Sequence, residues 1–104
     1  MSQVTTIDDQ SFEEVRTAPG PVLLDFYADW CGPCRALAPA LERFADSHPD
    51  VDVRKINVDE NPRIAQEFGV RGIPTLVVLE NGRETGRRIG GAGEAEIEKL
   101  VEHA

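Results

Sequence analysis

The 104-residue chain reads as an α/β domain, a mixed β-sheet with helices on both faces. Three observations point there. The run Val22-Leu23-Leu24-Asp25-Phe26-Tyr27 is almost continuously apolar and aromatic, which suits a central strand covered on both faces. Segments of strand and helix periodicity alternate along the chain. Asn81-Gly82, set between two strand-like runs, marks a tight hairpin and adds an antiparallel pair to the sheet. Hydrophobic residues make up 40% and charged ones 29%, a globular composition, and the chain is long enough to bury a core without a disulfide staple or metal.

Taken in order, Val4 to Ile7 reads as a short strand. Ser11-Phe12-Glu13-Glu14 has the Ser-x-x-Glu form of a capping box, which predicts a helix from Ser11 to Thr17 that stops at Pro19-Gly20. The central strand follows. From Pro33 to Ser47, Leu37, Leu41, Phe44 and Ala45 recur at helical spacing. Pro39 falls inside that helix, and the apolar phase continues across it, so it predicts a kink and not a break. Val51 to Val58 alternates as a strand, and Asn61-Pro62 opens a short helix that closes near Phe68-Gly69. Thr75 to Leu79 is a strand by its β-branched content, and its hairpin partner ends near Ile89. In the last helix, Glu94 to Glu102, one face carries Ile97, Leu100 and Val101. The count is five strands and four helices in a single domain, residues 1–104.

The formal charge of −8 and a pI near 4.6 oppose binding to nucleic acid or to an anionic membrane surface. No signal-like start and no long apolar span is present, so the expected address is the cytoplasm. In a reducing compartment a lone Cys-x-x-Cys is catalytic or metal-binding more often than it is a crosslink. Cys31 and Cys34 are the only cysteines. They stand at a strand-to-helix junction, and three positions is roughly one helical turn, which places both sulfurs on one face within the ~5.5 Å Cα separation that a disulfide favours. The pair can open and close without refolding. Zinc needs about four ligands, and only His48 and His103 remain as usual candidates, so no metal is expected.

Three segments together resemble the thioredoxin family: Asp25-Phe26-Tyr27-Ala28-Asp29-Trp30-Cys31-Gly32-Pro33-Cys34, then Lys55-Ile56-Asn57-Val58-Asp59-Glu60-Asn61-Pro62, then Val70-Arg71-Gly72-Ile73-Pro74-Thr75-Leu76. The resemblance runs from about Val4 to the C-terminus. It implies the thioredoxin fold and a protein-disulfide reductase working through a reversible Cys31-Cys34 disulfide. Cys31, at the helix start where free N–H groups and the helix dipole favour thiolate, is the expected nucleophile. Cys34, a turn inside the helix and expected to be less exposed, is the resolving thiol. Pro33 suits the first helical position, where no N–H partner is needed. No histidine separates the cysteines, and by family comparison that points to a reductant.

Asp25 interrupts an apolar strand. Buried there, its carboxyl is raised by desolvation and becomes a proton acceptor; the alternative is an Asp facing solvent at a strand end. The resemblance places it behind the second cysteine and brings Lys55 toward it from the neighbouring strand as its charge partner, against the alternative of a solvated strand lysine. It also implies a cis Ile73-Pro74 turn facing the cysteines, where single-sequence statistics favour trans. Trp30, Gly32, Pro33, Gly72, Ile73, Pro74, Gly90 and Gly91 are then the substrate-binding surface. The implied partners are disulfide-containing proteins and an NADPH-dependent thioredoxin reductase, with no bound cofactor and a monomeric chain. A redox-independent binding or scaffold module using the same surface is the alternative. The chain departs from the family pattern at Tyr27, where many members carry tryptophan, and at Gly93, where a Ser commonly caps the last helix and its loss predicts fraying.

Overall fold

The computed structural model describes residues 3–104. The elements are β1 (Thr5–Thr6), α1 (Glu13–Arg16), β2 (Pro21–Tyr27), α2 (Gly32–Ser47), β3 (Asp52–Asn57), α3 (Pro62–Glu67), β4 (Thr75–Glu80), β5 (Arg83–Ile89) and α4 (Glu94–Glu102). They build a five-stranded sheet in the order β1-β3-β2-β4-β5. β1, β3 and β2 run parallel, while β4 is antiparallel to β2 and to β5. β2 is therefore central, as its apolar run predicts.

Both faces of β2 are buried, by different helices. Leu23 joins Val53, Leu76 and Val78 on the face that receives Leu37, Leu41 and Phe44 of α2 and Ile97 of α4. Val22, Leu24 and Phe26 join Ile56, Val77 and Leu79 on the opposite face, against Phe12 just before α1, Val15 of α1 and Ile64 of α3. Phe68 closes this second layer, edge-on to Phe12 at 5.6 Å and tilted on Phe26 at 5.7 Å. Each large side chain removed from water contributes about 1.5–3 kcal/mol, so the two layers anchor β2 more firmly than any edge strand.

The β4–β5 hairpin turns through Asn81 (φ 54°) and Gly82 (φ 79°), the paired positive φ values of a type I′ turn. Gly82 is required twice over, because a Cβ there would lie 2.8 Å from the Arg16 carbonyl oxygen. α2 runs unbroken through Pro39, and Leu37, Leu41 and Phe44 hold their phase across it.

Two helix starts differ from expectation. α1 begins at Glu13 without a side-chain cap, so the Ser11 capping box does not form. Asp8 takes the capping position's donors instead: its carboxylate accepts from the N–H groups of Gln10 and Ser11 at 3.0 and 2.8 Å and from the Ser11 hydroxyl at 2.9 Å. A carboxylate two or three residues upstream is the stronger acceptor, and it closes a turn where the hydroxyl was to open a helix. At α4, Gly93 offers no acceptor, yet its own N–H donates to Glu96 Oε1 at 3.0 Å. Half of a capping box survives and offsets the fraying that glycine predicts. Among the described residues no helix is long and apolar enough to cross a membrane.

Candidate active site

β2 carries the chain out of the core at Tyr27, and a short turn delivers it to Cys31, whose N–H donates to the Ala28 carbonyl at 3.2 Å. Cys31 has extended backbone (φ −84°, ψ 109°) and is the N-cap of α2. Its sulfur takes the role that a serine or aspartate oxygen usually fills, accepting the Cys34 N–H at 3.2 Å. Gly32 and Pro33 form the first turn, with Pro33 at the second helical position, one later than its spacing predicts; the reason it fits is unchanged, because the first N–H groups of a helix have no partner inside it. Cys31 and Cys34 are joined as a disulfide with Cα atoms 5.2 Å apart.

The expected difference in exposure between the two cysteines is not found. Cys31 is 4% and Cys34 5% exposed. What distinguishes them is environment: Cys31 Sγ sits at the positive end of a helix of 16 residues and 3.8 Å from the Ile73 carbonyl oxygen, while Cys34 lies within the first turn.

Asp25 is 1% exposed, so the solvent-facing alternative is excluded. No protein group hydrogen-bonds its Oδ1. Burial pushes its carboxyl up to about 7, with the nearby Lys55 charge opposing the rise. Asp25 and Lys55 are register partners across β2 and β3, and adjacent parallel partners project to the same face of the sheet. Lys55 is not a free strand lysine: its Nζ stands 4.4 Å from the centroid of the Tyr27 ring. Tyr27, Lys55 and Cys34 line a common cleft of about 140 Å³, which opens the ground between Cys34 and the lysine to solvent.

Around the disulfide the remaining residues form a rim. Trp30 is 68% exposed, and its indole N–H donates to Asp59 Oδ2 at 2.7 Å. Asp59 is itself placed by Asn57, whose side-chain oxygen accepts the Asp59 N–H at 2.9 Å. The Ile73-Pro74 peptide is cis. Gly90, at φ 101°, donates its N–H to the Pro74 carbonyl at 2.8 Å, and the Gly91 carbonyl is held by two Arg88 N–H groups at 3.0 and 3.1 Å. These bonds tie the end of β5 to the cis turn. Gly72 lies against Ile89, whose Cγ2 is 3.4 Å from where a Cβ on Gly72 would stand.

Two residues of this rim are not singled out by the sequence. Ile89 is 65% exposed, an apolar side chain at the end of the otherwise polar β5, and that isolation is its available signal. Asp59 stands in a recognised segment, but nothing in sequence links it to an indole 29 positions away.

A redox-active Cys-x-x-Cys at the start of a helix, in a mixed sheet of this topology, defines a thiol–disulfide oxidoreductase. The model of the family described as Thioredoxin matches residues 3–103. The chain is 48% identical to a thioredoxin of Rhodospirillum rubrum over 98 residues, covering 92% of this chain and 94% of that one. It is 46% identical over 94 residues to a thioredoxin of Alicyclobacillus acidocaldarius, covering 89% and 90%. A solved thioredoxin point mutant from Halobacterium salinarum superposes with a TM-score of 0.88 at 39% identity, covering 95% of this chain and 88% of that one. The chain belongs to the thioredoxin family, and its activity is dithiol–disulfide exchange that reduces protein disulfides through Cys31 and Cys34.

Proposed function

We propose that Cys31 is the attacking thiol, Cys34 the resolving thiol and Asp25 the group that takes the resolving proton. The observation that carries this is the Cys34 N–H directed at Cys31 Sγ from the first turn of α2. A sulfur that accepts a backbone N–H at the positive end of a helix gains more from that bond as a thiolate than as a thiol.

In the reduced protein the Cys31 thiolate attacks one sulfur of a target disulfide, forming a mixed disulfide and releasing the other target sulfur as thiolate. The Cys34 proton passes to the Asp25 carboxylate, by way of water in the cleft beside Lys55. Cys34 then attacks Cys31 Sγ, the mixed disulfide breaks, and the target leaves as a dithiol. Two electrons have moved to the target and the Cys31-Cys34 disulfide has formed, the state in this structure. An acceptor near 7 is matched to neutral pH, where a substantial fraction of it is ionised and ready.

The exposed Trp30 and the half-buried Ile73, seated on the buried Pro74, receive the target together with the backbone at Gly72, Gly90 and Gly91, and the Gly32-Pro33 segment between the cysteines carries no large side chain. The chain works as a cytoplasmic monomer without a bound cofactor, and an NADPH-dependent thioredoxin reductase returns the disulfide to the dithiol. Support for these finer points is the family resemblance and the absence of any nucleotide motif in the sequence.

The test is reduction of an exposed protein disulfide with a dithiol donor. Cys31→Ser abolishes catalysis, and Cys34→Ser accumulates a covalent complex with the target that a reductant releases. Trapping by Cys31→Ser in place of Cys34→Ser reverses the roles. A binding module would keep its affinity for targets with both cysteines replaced and show no reductase activity beforehand.

A further inference from the structure

Tyr27 has no part in the thiol chemistry described so far, yet it is the residue on which Lys55 rests. The Lys55 Nζ is 4.4 Å from the ring centroid, within the range over which an ammonium is attracted to an aromatic face. Tyr27 is two residues from Asp25 on β2, so both side chains project to the face of the sheet that α2 covers. Lys55 is the register partner of Asp25 and is therefore flanked by both.

We propose that Tyr27 is a positioning residue for the resolving step: its ring seats the Lys55 ammonium within charge range of Asp25, and so governs how readily Asp25 gives up and takes a proton. The proposal rests on Asp25 as the proton acceptor. Several charged groups surround the trio. Asp29 and Arg35 line the same cleft, with Arg35 engaged by the Asp29 carbonyl at 2.7 Å. Glu60 acts on Tyr27 from beyond β3. From β4 the register partner of Asp25 is the apolar Leu76, and from α2 the cleft receives Cys34 and Ala38. Lys55 is thus the cation to which Asp25 responds. Burial, then the carboxylates of Asp29, Glu60 and Asp25, hold the Tyr27 phenol above its ordinary range, so the ring stays neutral while Asp25 titrates. A neutral ring keeps its attraction for the ammonium.

Removing the ring also admits water, which acts on Asp25 in the opposite sense to loss of the Lys55 charge. A double-mutant cycle separates the two. The measurement is the Asp25 carboxyl carbon-13 shift against pH in the oxidised protein, for wild type, Tyr27→Leu, Lys55→Met and the double variant. Tyr27→Leu in the wild-type background moves the midpoint upward, relative to the same change in the Lys55→Met background, by about half a unit; that is the size expected when a unit charge retreats a few ångströms at an effective dielectric near 20. Tyr27→Phe, which keeps the ring face, retains the wild-type midpoint.

Equal shifts in the two backgrounds, or a Tyr27→Phe midpoint that follows Tyr27→Leu, would overturn the proposal. Because the titration is read without turnover, it stands apart from the role of Asp25 itself. That role is tested by the pH profile of target reduction: coupling in the titration with no movement in the profile leaves Tyr27 positioning Lys55 but removes Asp25 from the reaction.

Discussion

Replacing Asp25 with asparagine tests the electrostatics of the core directly. The carboxyl is 1% exposed, its Oδ1 has no protein partner, and its proton is held up to about pH 7 against an ordinary 3.8. Between those values the folded chain binds a proton that the unfolded chain has released, so stability falls as pH rises through the window. Below about pH 4 both states are protonated and there is no penalty; above about 7 both are ionised and the penalty is complete. A rise of about three units at 1.36 kcal/mol each amounts to roughly 4 kcal/mol, already reduced by the opposing Lys55 charge.

An asparagine side chain would keep the shape of the aspartate without its charge. In the oxidised protein, Asp25→Asn therefore gains stability over wild type as pH rises, by up to about 1.4 kcal/mol per unit in mid-window and about 4 kcal/mol in all at pH 8. The assay is denaturant unfolding at pH 4, 5, 6, 7 and 8, with the difference between the two proteins taken at each pH so that every other titrating group cancels. A difference that stays constant across this range would mean that Asp25 is already ionised in the folded protein at pH 4, and the desolvation argument fails with it.

Other perturbations follow from single contacts. Gly82→Ala places a Cβ 2.8 Å from the Arg16 carbonyl at a positive φ, and should cost about 1–3 kcal/mol, read as a lower Tm with the disulfide intact. Ile89→Ser removes an exposed apolar side chain from the rim; it should leave fold stability within about 0.5 kcal/mol of wild type and raise KM for a protein disulfide about fivefold, while a small soluble disulfide is reduced as before. Phe44→Ala opens the α2 face of the core, where the ring is fully buried and stacked on His48 at 4.1 Å; the expected loss is about 3–5 kcal/mol by denaturant unfolding.

The fold is legible in the sequence wherever periodicity and punctuation agree. The β2 run, the α2 stripe of Leu37, Leu41 and Phe44, and the Asn81-Gly82 turn each reappear in place. The start of α1 differs because a capping signature is local, and the competing acceptor, Asp8, sits upstream of the window it occupies. At the site, Cys31, Cys34 and Asp25 declare themselves by residue type and setting. The cis turn at Ile73-Pro74 and the approach of Lys55 to Asp25 come from resemblance alone, since neither a peptide isomer nor a cross-strand register is written in one segment. The Trp30 to Asp59 hydrogen bond and the rim position of Ile89 need the folded chain, which alone brings the ends of β2, β3 and β5 together. The similar exposure of the two cysteines has a related cause: sequence places Cys31 at a helix start, but the Ile73 turn that covers it comes from 42 positions away.

Trp30 is the sole indole of the chain, it adjoins Cys31, and 68% of it faces solvent. The molecule therefore carries its own optical probe one residue from the disulfide. A partner that covered the indole face would change its emission by removing water there, as would chemistry at the adjacent sulfur, without an attached dye. The Asp59 hydrogen bond gives the indole a defined orientation in the oxidised protein, the reference against which a change in emission is read.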